Sequence, residues 1–205
     1  MFITLEGPEG SGKTCQMSDL AKYLREQGYE VITTREPGGT SIGDQIRGVL
    51  TNLENTELVP RTEILLFLAA RAQLVEQLIR PALKNGKIVL CDRYGDSTLA
   101  YQGYGHQTDL NLLQRLLAFA TNGLKPDLTL LLDIDVEIGL QRKINADEWN
   151  RLDAYEVAFH QRVRQGYKAL LAEEPERWVL IDANQPKTEV QNLMRQAVMF
   201  RLKMS

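Results

Sequence analysis

Eight residues near the N-terminus carry the most specific chemistry in the chain: Gly7-Pro8-Glu9-Gly10-Ser11-Gly12-Lys13-Thr14. They fit the spacing G-x-x-x-x-G-K-[ST], and each fixed position has a physical task. The glycines allow backbone conformations closed to other residues, so that several N–H groups aim at one point. Lys13 brings a mobile positive charge to the β- and γ-phosphates of a nucleotide, and Thr14 offers a hydroxyl to Mg²⁺. A helix that begins here adds the positive end of its dipole. A glycine-rich turn could spell the same letters, but the flanks decide against that. Phe2-Ile3-Thr4-Leu5 is a short apolar strand before the loop, and residues 15–27 read as an amphipathic helix after it, with Met17, Leu20, Ala21 and Leu24 on one face.

Further candidates stand where other strands end. Glu30-Val31-Ile32-Thr33-Thr34 reads as a strand that runs into Arg35-Glu36. Ile88-Val89-Leu90-Cys91 is a continuous apolar run, the pattern of a buried parallel strand, and it runs into Asp92-Arg93-Tyr94. In an open parallel sheet, ligands bind beyond the carboxyl ends of the strands. A lone arginine there reads as a solvated charge. Two arginines and two carboxylates beside a phosphate loop point to a second phosphate-bearing ligand that faces the first, because the arginine fork grips phosphate through two bonds.

The elements that position these groups follow from periodicity and punctuation. Gly28 reads as the cap of the first helix. Residues 42–51 predict a short helix between polar loops. Pro60 fits the first turn of a long helix that reaches about Asn85, is closed by Gly86, and kinks or restarts near Pro81. Its middle, Ile64 to Ala70, is apolar nearly all round, and such a helix must be covered on more than one side. Residues 109–121 predict a helix with Gly123 and Pro126 as stop signals. Leu128 to Leu132 is a buried strand ending in Asp133. Another helix leads into a charged patch from Gln141 to Asp153, followed by an amphipathic helix over 154–173, a strand at Trp178 to Ile181, and a last helix over 187–203. Strands alternating with helices predict an α/β fold, a parallel sheet with helices on both faces, and no linker divides residues 1–205 into more than a single domain.

Composition bounds the function. With 43% hydrophobic residues, a chain of 205 can bury a sizeable core. The net charge of −3 provides no bulk basic footprint, which argues against nucleic acid as a partner. No apolar run of 18 residues and no leader pattern stand out, so a cytoplasmic protein with no membrane partner is expected. Cys15 and Cys91 lack metal or CxxC spacing and read as reduced, buried small hydrophobes. His106 and His160 stand apart from any cluster of ligand spacing and read as surface or cap histidines.

Taken together, the motifs resemble those of the bacterial thymidylate kinases. The matching pieces are Glu6 to Thr14, Thr34-Arg35-Glu36-Pro37-Gly38-Gly39-Thr40, Asp92-Arg93-Tyr94 with Ser97-Thr98-Leu99-Ala100-Tyr101-Gln102-Gly103, and Leu132-Asp133 followed by Gly139-Leu140-Gln141-Arg142. They cover nearly the whole chain in order. The resemblance implies a three-layer P-loop NTPase fold with a parallel five-stranded sheet. It implies transfer of the γ-phosphate of ATP to dTMP, with Mg²⁺, in a homodimer that pairs through the apolar long helix. Gly7 to Thr14 would hold the phosphates of ATP, and Arg35 and Arg93 the phosphate of dTMP. Glu9 would stand near the deoxyribose 3′-hydroxyl. Phe67 would stack on thymine and Arg71 would bond the base edge. Thr98, Tyr101 and Gln102 would line the nucleoside pocket. Thr14 would be a direct Mg²⁺ ligand and Asp92 would organise the metal's waters. Ala183-Asn184-Gln185-Pro186 would lie beside the adenine. Periodicity alone reads Phe67 as core; its place four residues before Arg71 puts both on one helix face.

Some members of that family carry an arginine inside the phosphate loop. Pro8, Glu9, Gly10 and Ser11 supply none here, so a mobile lid at about 141–153 is implied, with Arg142 and Arg151 joining Lys13, Arg93 and Glu9 in the catalytic group. Arg142 is preferred to Arg151, because about two turns of helix after Asp133 aim it back at the sheet edge. The alternative reading of that patch is a solvated helix end. Two rivals to the overall reading are a kinase of the same fold acting on another nucleoside monophosphate or a deoxynucleoside, and a P-loop regulatory ATPase. A GTPase switch would need an Asn-Lys-x-Asp motif, which Asn184-Gln185-Pro186-Lys187 does not supply.

Overall fold

Five parallel strands form one sheet in the order β2-β3-β1-β4-β5 in a computed structural model of the chain, which describes residues 1–145 and 151–204. The strands are β1 (Phe2–Glu6), β2 (Val31–Arg35), β3 (Ile88–Asp92), β4 (Leu128–Asp133) and β5 (Trp178–Asp182). Their alternation divides the core. Ile3 and Leu5 of β1, Ile88 and Leu90 of β3, and Leu128, Leu130 and Leu132 of β4 face one way. They pack on α1 (Lys13–Glu26) and α9 (Lys187–Met204) through Leu20, Leu24, Met194 and Val198. On the other side lie α3 (Pro60–Leu74), α6 (Leu110–Thr121) and α8 (Val157–Glu173), which share a second core around Leu113, Val163 and Tyr167. Three layers result, as the alternating pattern predicts.

Both faces of the central strands are covered, and the two threonines buried among them are paired. Thr4 and Thr129 meet at 2.9 Å on adjacent strands. Arg177, just before β5, donates to Thr129 at 2.7 Å and to both oxygens of Asp96 at 2.7 and 3.0 Å. Asp96 belongs to α5 (Gly95–Thr98), so this ion pair clamps the entry to β5 onto the far side of the sheet.

Register decides what the carboxyl edge presents. Leu5 pairs with Asp92, Arg35 with Asp92, and Glu6 with Leu131. The turns after β1, β2 and β3 are thereby brought to one edge, next to the N-terminus of α1.

The structure departs from the sequence reading in several places. The long helix does run unbroken over residues 60–84, but it carries a π-helical turn: α3 passes into Val75–Ile79, and Pro81 lies in the first turn of α4 (Arg80–Lys84). Proline has no N–H to give to the preceding turn, and the π-helical turn directly before it absorbs that lost bond without ending the helix. Within α3, Ile64, Leu68 and Ala70 are buried, whereas Leu65 and Ala69 are exposed. Residues 95–105, given no element from the sequence, form α5 and a π-helical segment at Leu99–Gly105. Most of that segment is buried on all sides, so it has no amphipathic period, and Gly95, Gly103 and Gly105 weaken its helical signal. The helix expected from residue 154 begins instead as a 3₁₀ turn at Arg151–Ala154 ahead of α8.

Cys15 is exposed, contrary to expectation, because α1 turns that face to the cleft; Cys91 is buried. His160 is also no surface residue: it lies buried in the first turn of α8, against Phe159. His106 does cap a helix, following the π-helical segment, where it packs on Tyr155. Of the expected lid, residues 146–150, including Asp147 and Asn150, lie outside the described residues. Among the described residues no helix is long and apolar enough to cross a membrane.

Candidate functional site

The loop between β1 and α1 is shaped by glycines that only glycine can satisfy. Gly10 and Gly12 have φ of 67° and 84°. Gly10 also lies against the backbone of Gly139 in α7 (Val136–Asn145), while Gly139 in turn presses on the Glu9 carbonyl; a Cβ on either would collide. The phosphate loop is therefore seated directly on another helix, backbone to backbone.

Lys13 is buried, and its ammonium donates to the carbonyls of Gly7 (3.0 Å) and Pro8 (2.9 Å) and to Ser11 Oγ (3.1 Å). Burial, and the cation of Arg93 beside it, lower its pKa to about 8. A bound polyanion would relieve both effects. Thr14 Oγ1 donates to Asp92 Oδ2 at 2.6 Å, which brings together the two residues predicted to serve a metal. A hydroxyl and a carboxylate are hard oxygen donors. Mg²⁺ is commonly held by one or two such groups, with substrate phosphates and water completing its shell. The pair fits that ion. Among the described residues no cluster of three or more His, Cys, Asp or Glu forms a self-sufficient metal cage.

Arg93 is the centre of the site. Its backbone is left-handed, with φ of 68°, an uncommon conformation for a side chain of its size. Nη2 donates to Glu9 Oε1 (2.7 Å) and to Tyr101 OH (3.0 Å). Nη1 donates to Gly7 O (3.1 Å), Ser97 Oγ (3.3 Å) and Tyr167 OH (3.1 Å). Tyr101 OH also donates to Glu9 at 2.7 Å. Although burial opposes it, the charges of Arg93 and Lys13 hold the Glu9 carboxyl down at about 2, so Glu9 is an anion throughout the physiological range.

Facing this group, Arg71 is buried on α3. It gives Nε and Nη2 to Glu36 Oε2 (2.7 and 2.5 Å), Nη1 to Thr98 Oγ1 (2.9 Å) and Nη2 to Tyr94 O (3.0 Å). These bonds fix the guanidinium edge-on and leave one Nη1 hydrogen for a ligand. Gln102 donates to Glu63 at 2.8 Å. Arg35 is half exposed and pairs with Asp44 at 3.1 Å.

Most of these groups border one cleft of about 360 Å³. Of the predicted residues, Glu9, Gly10, Gly12, Lys13, Thr14, Arg35, Phe67, Arg71, Asp92, Arg93, Thr98, Tyr101, Gln102 and Arg142 line it. Gly7, Pro8 and Ser11 support it from behind through their bonds to Lys13. Arg142 also donates to Ala183 O at 3.3 Å, which places the expected adenine loop at the same end. Arg151 is not part of the lining. It donates to Leu50 O (2.8 Å), Tyr155 OH (3.0 Å) and Glu63 Oε2 (2.5 Å), and so anchors the chain after residue 150 to α3.

Sequence reasoning missed Arg47, which lines the cleft and donates to Pro37 O at 3.1 Å. It also missed Glu63 and Tyr167. Arg47 and Glu63 have the charge and helical position that could have drawn notice. Tyr167 offers no such signal, for its hydroxyl reaches the site only through tertiary packing.

Comparison with known proteins gives one answer. The family model described as Thymidylate kinase matches residues 5–194. The chain is similar to a thymidylate kinase of Roseiflexus castenholzii, 54% identical over 198 residues that cover 90% of this chain and 86% of that one. A thymidylate kinase of Geotalea uraniireducens is 49% identical over 207 residues, covering 98% and 97%. The crystal structure of thymidylate kinase from Ehrlichia chaffeensis superposes with a TM-score of 0.81 at 33% identity, covering 97% of this chain and 98% of that one.

The seating of the loop on α7 is open to test. Gly139→Ala should leave the helical circular dichroism intact but displace Glu9 and Gly10, lowering kcat/KM for a nucleoside triphosphate by on the order of 10²-fold. Unchanged kcat/KM would mean that the loop finds its shape without that contact.

Proposed function

The chain belongs to the thymidylate kinase family, and we propose that it transfers the γ-phosphate of ATP to dTMP, giving dTDP and ADP, with Mg²⁺, in the cytoplasm. The observation that carries the reading is the cleft itself. A phosphate loop with its lysine and a second cationic pole at Arg93 share one cavity, with the Glu9 carboxylate bonded to Arg93. Phosphoryl transfer requires alignment and charge neutralisation more than covalent help from the protein. Two polyanions repel, so cations must meet both.

In this reading Lys13 and the loop amides take the donor phosphates. Arg93, with Arg35, takes the acceptor phosphate. Glu9, fixed as an anion by Arg93 and Tyr101, accepts from the deoxyribose 3′-hydroxyl. Phe67 offers its ring to the base. The remaining Nη1 hydrogen of Arg71 reads the base edge, and Thr98, Tyr101 and Gln102 close the nucleoside pocket. Thr14 as a direct ligand and Asp92 through the metal's waters would hold Mg²⁺, which would screen the phosphate charge. Arg142, on the cleft wall, meets charge that develops in transfer. Arg151, committed to Glu63, holds the lid in place. A single domain carries the whole site.

Purified chain given ATP, Mg²⁺ and a panel of nucleoside monophosphates should release ADP in step with dTMP. It should favour dTMP over dUMP by about 10- to 200-fold, the worth of one methyl in an apolar pocket. Lys13→Ala should abolish turnover without loss of fold. A purine monophosphate as best acceptor, or ADP release indifferent to any acceptor, would overturn the reading in favour of another nucleotide kinase or a regulatory ATPase.

We propose further that two copies pair through the outer face of α3. Leu65 is 56% exposed and Phe119 of α6, the helix packed beside α3, is 88% exposed, in a region where Val49 and Leu53 are also exposed. Light scattering at micromolar concentration should give about twice the chain mass of 23.2 kDa, and Leu65→Lys should halve it. A monomeric wild type would contradict the pairing.

A further inference from the structure

Beneath Arg93 lies an acid that the proposed reaction has not used. Glu6, the last residue of β1, is fully buried. Its Oε1 accepts from the Tyr94 N–H at 2.7 Å, and its Oε2 accepts from Ser97 Oγ at 2.6 Å and Tyr167 OH at 2.9 Å. Ser97 and Tyr167 are the two hydroxyls to which Arg93 Nη1 donates. They also stand 2.8 Å from each other.

A hydroxyl has one proton to give. With both protons drawn to Glu6, the oxygens of Ser97 and Tyr167 turn lone pairs toward Arg93. Without that draw, at least one of these two hydroxyls, which stand 2.8 Å apart, could turn its proton toward Arg93, and a donor would then face a donor. On its other oxygen Glu6 holds the N–H that follows the left-handed Arg93 backbone, a conformation that persists only where its surroundings enforce it. The same carboxylate therefore fixes both the backbone and the hydrogen-bond polarity of this arginine.

We propose that Glu6 is a positioning residue for phosphoryl transfer, setting Arg93 for the acceptor phosphate through the hydroxyls of Ser97 and Tyr167 and the Tyr94 amide. The inference rests on the proposed reaction, in which Arg93 receives that phosphate.

The charged and titratable groups facing Glu6 are Lys13 of the phosphate loop, Arg71 of α3, Cys91 of β3, Arg93, Asp96 of α5 and Tyr167 of α8. Burial, then the charge of Asp96, push the Glu6 carboxyl up to about 7, against the pull of Ser97, Arg93 and Tyr167. Protonated, Glu6 becomes a donor and can no longer accept all three bonds. Acceptor use by the wild type should therefore rise with pH through about 7.

The test is Glu6→Gln. Either orientation of the amide sets its NH₂ against a donor, the Tyr94 N–H on one side or the two hydroxyls on the other. We expect kcat/KM for dTMP to fall about 10- to 100-fold, the range of hydrogen bonds to charged groups, with KM for ATP unchanged. The ratio of wild-type to variant kcat/KM should rise with pH through about 7, and taking the ratio cancels the titration of the dTMP phosphate itself. If Glu6→Gln fails to fold, Tyr167→Phe decides. It should lower kcat/KM for dTMP about 3- to 10-fold, spare KM for ATP, and reduce the rise of the pH profile. A purely structural Glu6 would lower the melting temperature and leave the KM pattern and the pH ratio flat, which would overturn the proposal. Wild-type turnover of dTMP in the same assay separates the two claims. Its absence would sink the reaction, whereas turnover with a flat ratio would sink only the role of Glu6.

Discussion

Everything at the carboxyl edge of the sheet converges on one buried guanidinium. Arg93 follows β3, whose ladder beside β1 is continued by its own N–H to Leu5 O at 3.0 Å. From there it reaches the phosphate loop through Gly7 and Glu9, the π-helical segment through Ser97 and Tyr101, and α8 through Tyr167. A buried charge stripped of its partners costs about 3–5 kcal/mol, so each of these segments is held where the arginine can be satisfied. Burial would weaken the cation, but Glu9 and the surrounding oxygens raise its pKa and keep it charged. Residues as far apart in the chain as Glu6 and Tyr167 are thus brought to one atom cluster by an electrostatic demand rather than by apolar packing alone.

The same balance explains the character of the cleft. Arg35, Arg47, Arg142 and Lys143 border it with Lys13 and Arg93, against Glu9, Glu36 and Asp92. Burial and then the like charge of Arg93 depress the lysine, a ground-state tension that an incoming phosphate would relieve. Preorganised cations of this kind need not rearrange when charge shifts during transfer, which is where such sites derive most of their effect. The chain after residue 150 obeys a similar rule. Although burial opposes it, His106 at 3.5 Å and the bonds from Arg151 and Gln102 keep the Glu63 carboxyl at about 2. Glu63 ties the residues after 150 to the helix that carries Phe67 and Arg71, so that segment is held beside the wall of the cleft.

Much of this was legible in the sequence, for physical reasons that differ by element. The phosphate loop was, because its chemistry dictates residue types at fixed spacing. The central strand β3 was, because burial on both faces turns it into an unbroken apolar run. Phe67 and Arg71 lie on one face because a helix repeats every 3.6 residues, and the structure does bring them to the same cleft. The segment over 95–105 was not legible, since a helix buried all round has no period and its glycines argue against it. Cys15 misled because cysteine is usually buried, and only the cleft in front of α1 exposes it. Arg151 was grouped with the catalytic cations by charge and proximity in sequence, but nothing local reveals that Glu63, 88 residues away, claims it. Pairings of that length are properties of the fold.

The central claim is that Arg93 recognises a phosphate and not the nucleoside that bears it. Titration calorimetry of wild type and Arg93→Lys with dTMP and with thymidine tests this directly. Lysine keeps the charge but loses the fork that satisfies Glu9, Gly7 and a ligand together. The account predicts that dTMP affinity falls about 10-fold or more while thymidine affinity stays within about 2-fold. Equal losses for both ligands, or dTMP binding unchanged, would contradict it.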